Sequence, residues 1–212
     1  MGTPKTLQGE EFHDATSTKP RASHSIPSGG TFSIYGSTKI DAPPQAVYDA
    51  ILDCASWKHW NTFVPEVRIT KHPKSHEKEL KITEGTCMVF YVKMTNDFQT
   101  TTKTACTHVE RLKSRANRTT PPVTRIRWNF DNANAYVPGF ILKSERTHEI
   151  EETADGKTLY RTWETFGGLV AGHVKSKYGQ TLQDRFQDWC KDLAKYVERQ
   201  EIGQPHMPAE LE

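Results

Sequence analysis

The stretch Phe32–Trp60, FSIYGSTKIDAPPQAVYDAILDCASWKHW, sets a strand, a two-proline stop and a short amphipathic helix in one phrase. Within Phe32–Ile40 the residues Phe32, Ile34, Gly36, Thr38 and Ile40 fall on one face and Ser33, Tyr35, Ser37 and Lys39 on the other, which suits a strand with one side buried. Asp41 is expected to cap the next element, and Pro43-Pro44 stops ladder pairing while fixing φ for a helix start. Ala46, Val47, Ala50 and Ile51 supply the apolar face of that helix, and Trp57, Trp60 and Phe63 crowd the turn beyond it.

Further along, the runs 85–94, 100–112, 124–130, 142–152 and 158–166 are β-branched and aromatic, and they are broken by Asn96-Asp97, Pro121-Pro122, Pro138-Gly139 and Asp155-Gly156. After Gly167-Gly168 the period changes: Leu182, Phe186, Trp189, Leu193 and Val197 recur every third or fourth residue as a helical stripe. This order of elements, with the phrases Asp41-Ala42-Pro43-Pro44 and Trp163-Glu164-Thr165-Phe166-Gly167-Gly168, resembles the START/Bet v 1-like superfamily (SRPBCC), the lipid-binding and polyketide cyclase/dehydratase-like group, over residues 32–200. The resemblance implies an α+β helix-grip fold, a curved antiparallel sheet of roughly six or seven strands wrapped around the long helix 171–200. It also implies a cavity for a lipid, polyketide, quinone or other aromatic molecule, although fold by itself does not fix function.

The 212 residues fit one ligand-binding domain, 31–201, long enough to bury a core. Residues 1–30, rich in Thr, Ser, Lys, Pro and Gly, read as a flexible arm, and 202–212 as a flexible tail. A net charge of +2, with the two signs interspersed, gives no nucleic-acid footprint, and the basic stretch Lys113–Arg127 reads as a solvated loop. Cys54, Cys87, Cys106 and Cys190 lack the spacing of a zinc site or a disulfide framework. The nine histidines form no metal motif, so neither a metal nor a cofactor is expected. With no apolar run of about 18 residues and no secretory start, integral membrane association is not expected and the cytoplasm is the default compartment. The oligomeric state is left open.

Strand phase nominates the residues that face inward. Met88, Phe90, Val92 and Met94 form one uniformly apolar phase, and Ile126, Trp128 and Phe130 form another, with Arg125, Arg127 and Asn129 facing out. The turn Thr153-Ala154-Asp155-Gly156-Lys157 has glycine where a three-residue hairpin loop needs positive φ. Counting back from it pairs Ile150 with Tyr160, His148 with Thr162, Arg146 with Glu164 and Ser144 with Phe166 on one face. The opposite face, with Glu145, Thr147 and Glu149 against Arg161, Trp163 and Thr165, looks solvated.

That register turns Arg146, His148 and Glu164 toward an otherwise apolar interior, where Glu164 must either pair with Arg146 or shift its pKa upward. A structural ion pair is one reading of the trio. The other is a ligand-orienting or acid/base group, with Glu164 as acid or base, His148 as proton carrier and Tyr178 assisting. Trp57, Trp60, Phe166 and Phe186 are expected to line the cavity beside Phe90 and Trp128, and Tyr136–Phe140 to gate it. The leading reading is therefore a binding protein whose partner is a small hydrophobic molecule. The rival is a cyclase/dehydratase-type enzyme, whose signature would be faint because placement and one or two tuned groups suffice. A lipid-transfer or co-chaperone module would need an exposed apolar patch.

Overall fold

The computed structural model describes residues 6–74, 81–115 and 121–203. Strand β1 (Phe32–Ile40) leads through the two prolines into α1 (Pro44–Leu52). Pro43, not Asp41, is the N-cap residue, with φ −66° and ψ 151°. Asp41 lies two residues too early for its carboxylate to meet the first free N–H groups, and it pairs with Lys157 at 2.9 Å instead. The chain continues as β2 (Glu66–Lys71), β3 (Cys87–Lys93), β4 (Gln99–Val109), β5 (Val123–Phe130), the single turn α2 (Asn132–Ala135), β6 (Lys143–Glu152), β7 (Thr158–Gly167) and α3 (Ala171–Gly203). The seven strands make one antiparallel sheet in the order β1-β7-β6-β5-β4-β3-β2, gripped around α3. Strand β2 has only Val67 and Ile69 as apolar residues between Glu66, Arg68 and Thr70, a pattern that suits an edge and gives little sequence signal.

The β6–β7 hairpin has the register its turn chemistry demands. Gly156 holds φ +75°, the Gly156 N–H donates to the Thr153 carbonyl at 3.1 Å, and the Thr153 N–H donates to the Lys157 carbonyl at 2.9 Å. Ile150 then faces Tyr160, His148 faces Thr162, Arg146 faces Glu164 and Ser144 faces Phe166. On the inner face α3 comes closest at Gly36, where a Cβ would stand 2.8 Å from Cys190 Sγ and 3.0 Å from the Phe186 carbonyl oxygen. The Gln183 side chain serves the free edge of β1, donating to the Tyr35 carbonyl at 2.6 Å and accepting from its N–H at 3.1 Å. Beside this seam the interior is filled by aromatic rings, with Trp189 edge-on to Trp57 at 4.9 Å and to Trp60 at 5.3 Å. Burial in this packing pushes the Cys190 thiol up to about 12.

The arm expected to be flexible is docked over its described residues 6–30, and the face expected to be solvated lies beneath it. Arg21 is fully buried and donates to three backbone carbonyls, those of Phe12 (2.7 Å), Asp14 (2.6 Å) and Ser17 (2.9 Å). It also stacks on Tyr35, 4.8 Å from the ring centre. The N–H groups of His24 and Ser25 donate to the Glu145 carboxylate at 2.6 and 3.1 Å, and the Trp163 indole donates to the Ala22 carbonyl at 3.1 Å. Glu145, Thr147, Trp163 and Thr165 are consequently buried. Composition suggested disorder because the arm has few apolar residues; one guanidinium gathers the arm's own backbone oxygens, and bonds with Glu145, Trp163 and Thr165 tie the arm to the sheet, with Leu7 and Ile26 buried alongside. The tail residues 204–212 lie outside the described residues.

Because truncating Arg21 empties a fully buried site and strands three part-buried carbonyls, Arg21→Ala is expected to cost about 3 kcal/mol. In a chain of this size that lowers the melting temperature by roughly 6–12 °C. Removal of residues 1–28 is expected to lower it at least as far, and calorimetric scans of the two variants check both expectations.

Candidate functional site

Between the first half of α3 and the inner face of the sheet the packing opens into a cavity of about 300 Å³. Alternation brings Phe90 and Val92 from β3, Thr100, Thr102 and Thr104 from β4, Trp128 and Phe130 from β5, Ser144 and Arg146 from β6, and Glu164 and Phe166 from β7 onto its wall. The threonines share that wall because Thr104 faces Met88, Thr102 faces Phe90 and Thr100 faces Val92 across the β3–β4 ladder. Val174, Tyr178 and Leu182 of α3 close it from the other side, with Phe63, Val64, Met94 and Leu142 at its ends. At the wall Phe98, 40% exposed, stacks on Tyr178 at 5.7 Å with the rings nearly parallel, a contact between the β3–β4 turn and α3 that must part for a ring-sized molecule to pass there.

Arg146 occupies the floor. Its Nε donates to the Thr162 hydroxyl at 3.1 Å, which in turn donates to the Thr147 carbonyl at 3.0 Å. The guanidinium lies over Trp189 and Phe186, 4.0 and 4.2 Å from their ring centres, while its Nη2 has no acceptor. No ion pair joins Arg146 to Glu164 among the described residues, although the two stand opposite in the ladder. Glu164 takes the other course open to it: burial raises its pKa, against the smaller opposing pulls of the Ser144 hydroxyl and the Arg146 charge. What surface Glu164 exposes belongs to the cavity wall, so it counts as half-buried by area and yet is removed from bulk water.

His148 lies deeper, fully buried and away from the cavity wall. Its Nδ1 bonds the Tyr160 hydroxyl at 2.6 Å, and that oxygen also accepts from the Trp189 indole at 2.9 Å. Burial first and the Arg146 charge second hold the imidazole pKa well below its ordinary value, so the ring is neutral. The structure thus brings Glu164, Tyr178, Arg146, Phe90, Val92, Trp128, Phe130 and Phe166 together on one wall and leaves His148 behind it. Met88, Trp57, Trp60 and Phe186 belong to the filled core rather than the cavity wall, because strand phase gives the face a residue takes but not how far along that face the helix has already filled it. Tyr136 and Phe140 are 90% and 67% exposed and lie off the wall. Their loop is drawn outward alongside the start of α3, where the N–H groups of Leu169 and Val170 donate to the carbonyls of Phe140 and Ile141 at 2.9 and 3.0 Å. With Leu169 and Val170 these residues are exposed apolar side chains that sequence reading did not locate as a patch.

A family model described as polyketide cyclase / dehydrase and lipid transport matches residues 31–198. The chain is 29% identical over 192 residues to oxopyrrolidines biosynthesis cluster protein O of Penicillium oxalicum, covering 84% of this chain and 92% of that one. Among solved structures, a START superfamily protein from Mycobacterium smegmatis superposes with a TM-score of 0.54 at 13% identity, covering 79% of this chain and 98% of its own. A major latex-like protein from Panax ginseng does so with a TM-score of 0.55 at 6% identity, covering 78% and 96%. At those identities the two structures speak for the fold alone. No helix among the described residues is long and apolar enough to cross a membrane.

The raised Glu164 pKa has a consequence for stability. The folded state holds this proton more tightly than the unfolded chain, so the contribution is fully present below the unfolded carboxyl pKa and is lost as pH rises through the higher folded value. His148 acts in the opposite sense, losing stability as pH falls through the window below the ordinary histidine value. Glu164→Gln cannot ionise, so its melting temperature relative to the wild type should climb as pH is raised from 4.5, the ordinary value, through the folded pKa, then level off. Parallel thermal melts at a series of pH values test this; a constant difference would place Glu164 in contact with bulk water.

Proposed function

Since the chain belongs to the polyketide cyclase / dehydrase and lipid transport family, we propose that it holds one small hydrophobic molecule, of the polyketide, quinone, lipid or other aromatic class, in the cavity between the sheet and α3. The observation that carries this reading is the 300 Å³ void itself, at the low end of ligand-pocket size, beside a core that is otherwise filled with aromatic rings. Its walls are mainly apolar, with a limited set of polar groups from the β4 threonines, Asn129, Ser144, Arg146, Glu164 and Tyr178, the few oriented contacts that small-molecule sites use. The mouth at Phe98 and Tyr178 fits capture followed by closure.

A second reading, proton-transfer catalysis on the bound molecule, is favoured by one feature: a cavity-lining carboxyl whose pKa is raised by burial. The relative from a biosynthesis cluster is compatible with it. In that reading Glu164 acts with Ser144 or Tyr178, since His148 has no access to the cavity wall.

Native mass spectrometry of the purified chain should show a co-purified molecule near one equivalent. The neutral dye N-phenyl-1-naphthylamine should bind the emptied protein with the same stoichiometry. Phe90→Asp, which sets a charge in the apolar wall, should abolish dye binding or folding. If the chain is a binder, Glu164→Gln keeps affinity for a neutral ligand within about tenfold, or roughly 1.4 kcal/mol. If it is a catalyst, the same change leaves binding similar and lowers turnover of the recovered ligand by about 100-fold or more. A chain that carries no molecule and takes up no dye overturns the cavity reading.

A further inference from the structure

No ion pair balances the charge of Arg146 on the cavity floor among the described residues. Arg146 is 3% exposed, donates to the neutral Thr162 hydroxyl through Nε, has the Tyr160 hydroxyl as a further side-chain partner, and leaves Nη2 without an acceptor. The groups that face it from neighbouring elements are Glu164 on β7, Tyr160 on β7, His148 on β6 and Cys190 on α3. Burial favours the uncharged form of each of these four, and none of them forms a salt bridge with Arg146 among the described residues. The rings of Trp189, Phe186 and, at 5.9 Å, Trp128 offset part of the cost through their π faces, and none of them can accept a hydrogen bond as an anion would. Ser144 and Glu164 share the cavity wall with Arg146, and a carboxyl in its neutral form is a hydrogen-bond donor. A buried guanidinium on the cavity wall, with Nη2 unfilled and no ion pair among the described residues, is arranged for an acceptor that comes with the ligand.

We propose that the cavity selects an apolar, flat molecule carrying one ionised oxygen, as carboxyl, phenol or enol groups provide, with that oxygen on Arg146 and the body against Phe90, Phe130 and the Phe98–Tyr178 mouth. The inference rests on the reading that the cavity holds a ligand, and adds the charge and orientation of that ligand. It also gives the floor its discrimination: a neutral analogue leaves the guanidinium unpaired in the complex as it is in the free protein, whereas an anion pairs it.

Two dyes with the same ring system separate the possibilities. In 1-anilinonaphthalene-8-sulfonate the rings carry an anion; in N-phenyl-1-naphthylamine they do not. The wild-type chain is expected to bind the anionic dye at least about tenfold more tightly. Arg146→Met should erase that preference while keeping the neutral dye within about threefold, and Lys39→Met, an exposed change of the same net charge, should leave the preference intact. If Arg146→Met does not fold, the wild-type ratio decides together with Arg146→Lys, which keeps the charge and should keep the preference. A wild type that binds the neutral dye as tightly as the anionic one, or an Arg146→Met protein that still prefers the anion, overturns this inference and leaves the cavity reading standing. Uptake of neither dye removes both.

Discussion

The close approach of α3 to β1 at Gly36 is the constraint from which the cavity follows. With no Cβ at that position, the backbone of Phe186 and the thiol of Cys190 settle against the strand, and Trp189 is carried in among Trp57, Trp60 and Trp128. That end of the helix is full, and its residues Phe186, Trp189, Cys190 and Leu193 have essentially no exposed surface. The other end offers Val174, Tyr178 and Leu182 to strands that present threonines on β4 and a serine on β6, side chains too short to meet them. The void therefore follows from large residues filling one end of the helix while short side chains stand among the residues opposite its other end, and no strained segment is needed to keep it open.

Arg146 marks the border between the filled half and the open one. Replacing a buried carboxylate–guanidinium pair by a guanidinium on aromatic rings gives up Coulomb energy, and it avoids the second desolvation cost of holding an ionised Glu164 in the same place. The ladder puts the two residues opposite each other, yet the rings take the guanidinium and burial raises the carboxyl pKa. This is a division of labour that an ion pair would forbid: a paired Arg146 would be neutralised before any ligand arrived, and a paired Glu164 would be ionised and unable to donate.

How much of this was legible in the sequence varies with the kind of interaction. The β6–β7 register was, because Gly156 within Thr153–Lys157 favours a three-residue loop over the two-residue turn that would have shifted it, and that register set Arg146 against Glu164. Strand phase likewise gave Phe90, Val92, Trp128 and Phe130 their inward direction. Depth was not legible: Met88 shares its phase with Phe90 and His148 shares its face with Arg146, and only the position of α3 sends one of each pair to the wall and the other into the core. The β4 threonines went unread since their alternation is polar on both faces. The arm was misread for a related reason. Backbone carbonyls carry no sequence label, so the acceptors that hold Arg21 are invisible until the chain is folded.

The same geometry bears on whether binding and catalysis are alternatives here. A general acid must be protonated before the reaction and a general base ionised, and burial, by raising the Glu164 pKa, moves this carboxyl toward the acid role. An anionic ligand on Arg146 would cancel the one charge that pulls the Glu164 pKa down from across the ladder and would add a negative charge of its own, so loading the cavity drives Glu164 further toward the acid form. The loaded protein then presents a proton donor and a fixed cation to the ionised end of its ligand. Those two groups suffice to hold an enolate or a carboxylate in place, and they are also what protonates one if a carbon of the ligand comes within reach. Binding is thus the step common to both readings, and the distance from Glu164 to that carbon, set by the length of the ligand and by the Phe98–Tyr178 closure, separates a carrier from a catalyst.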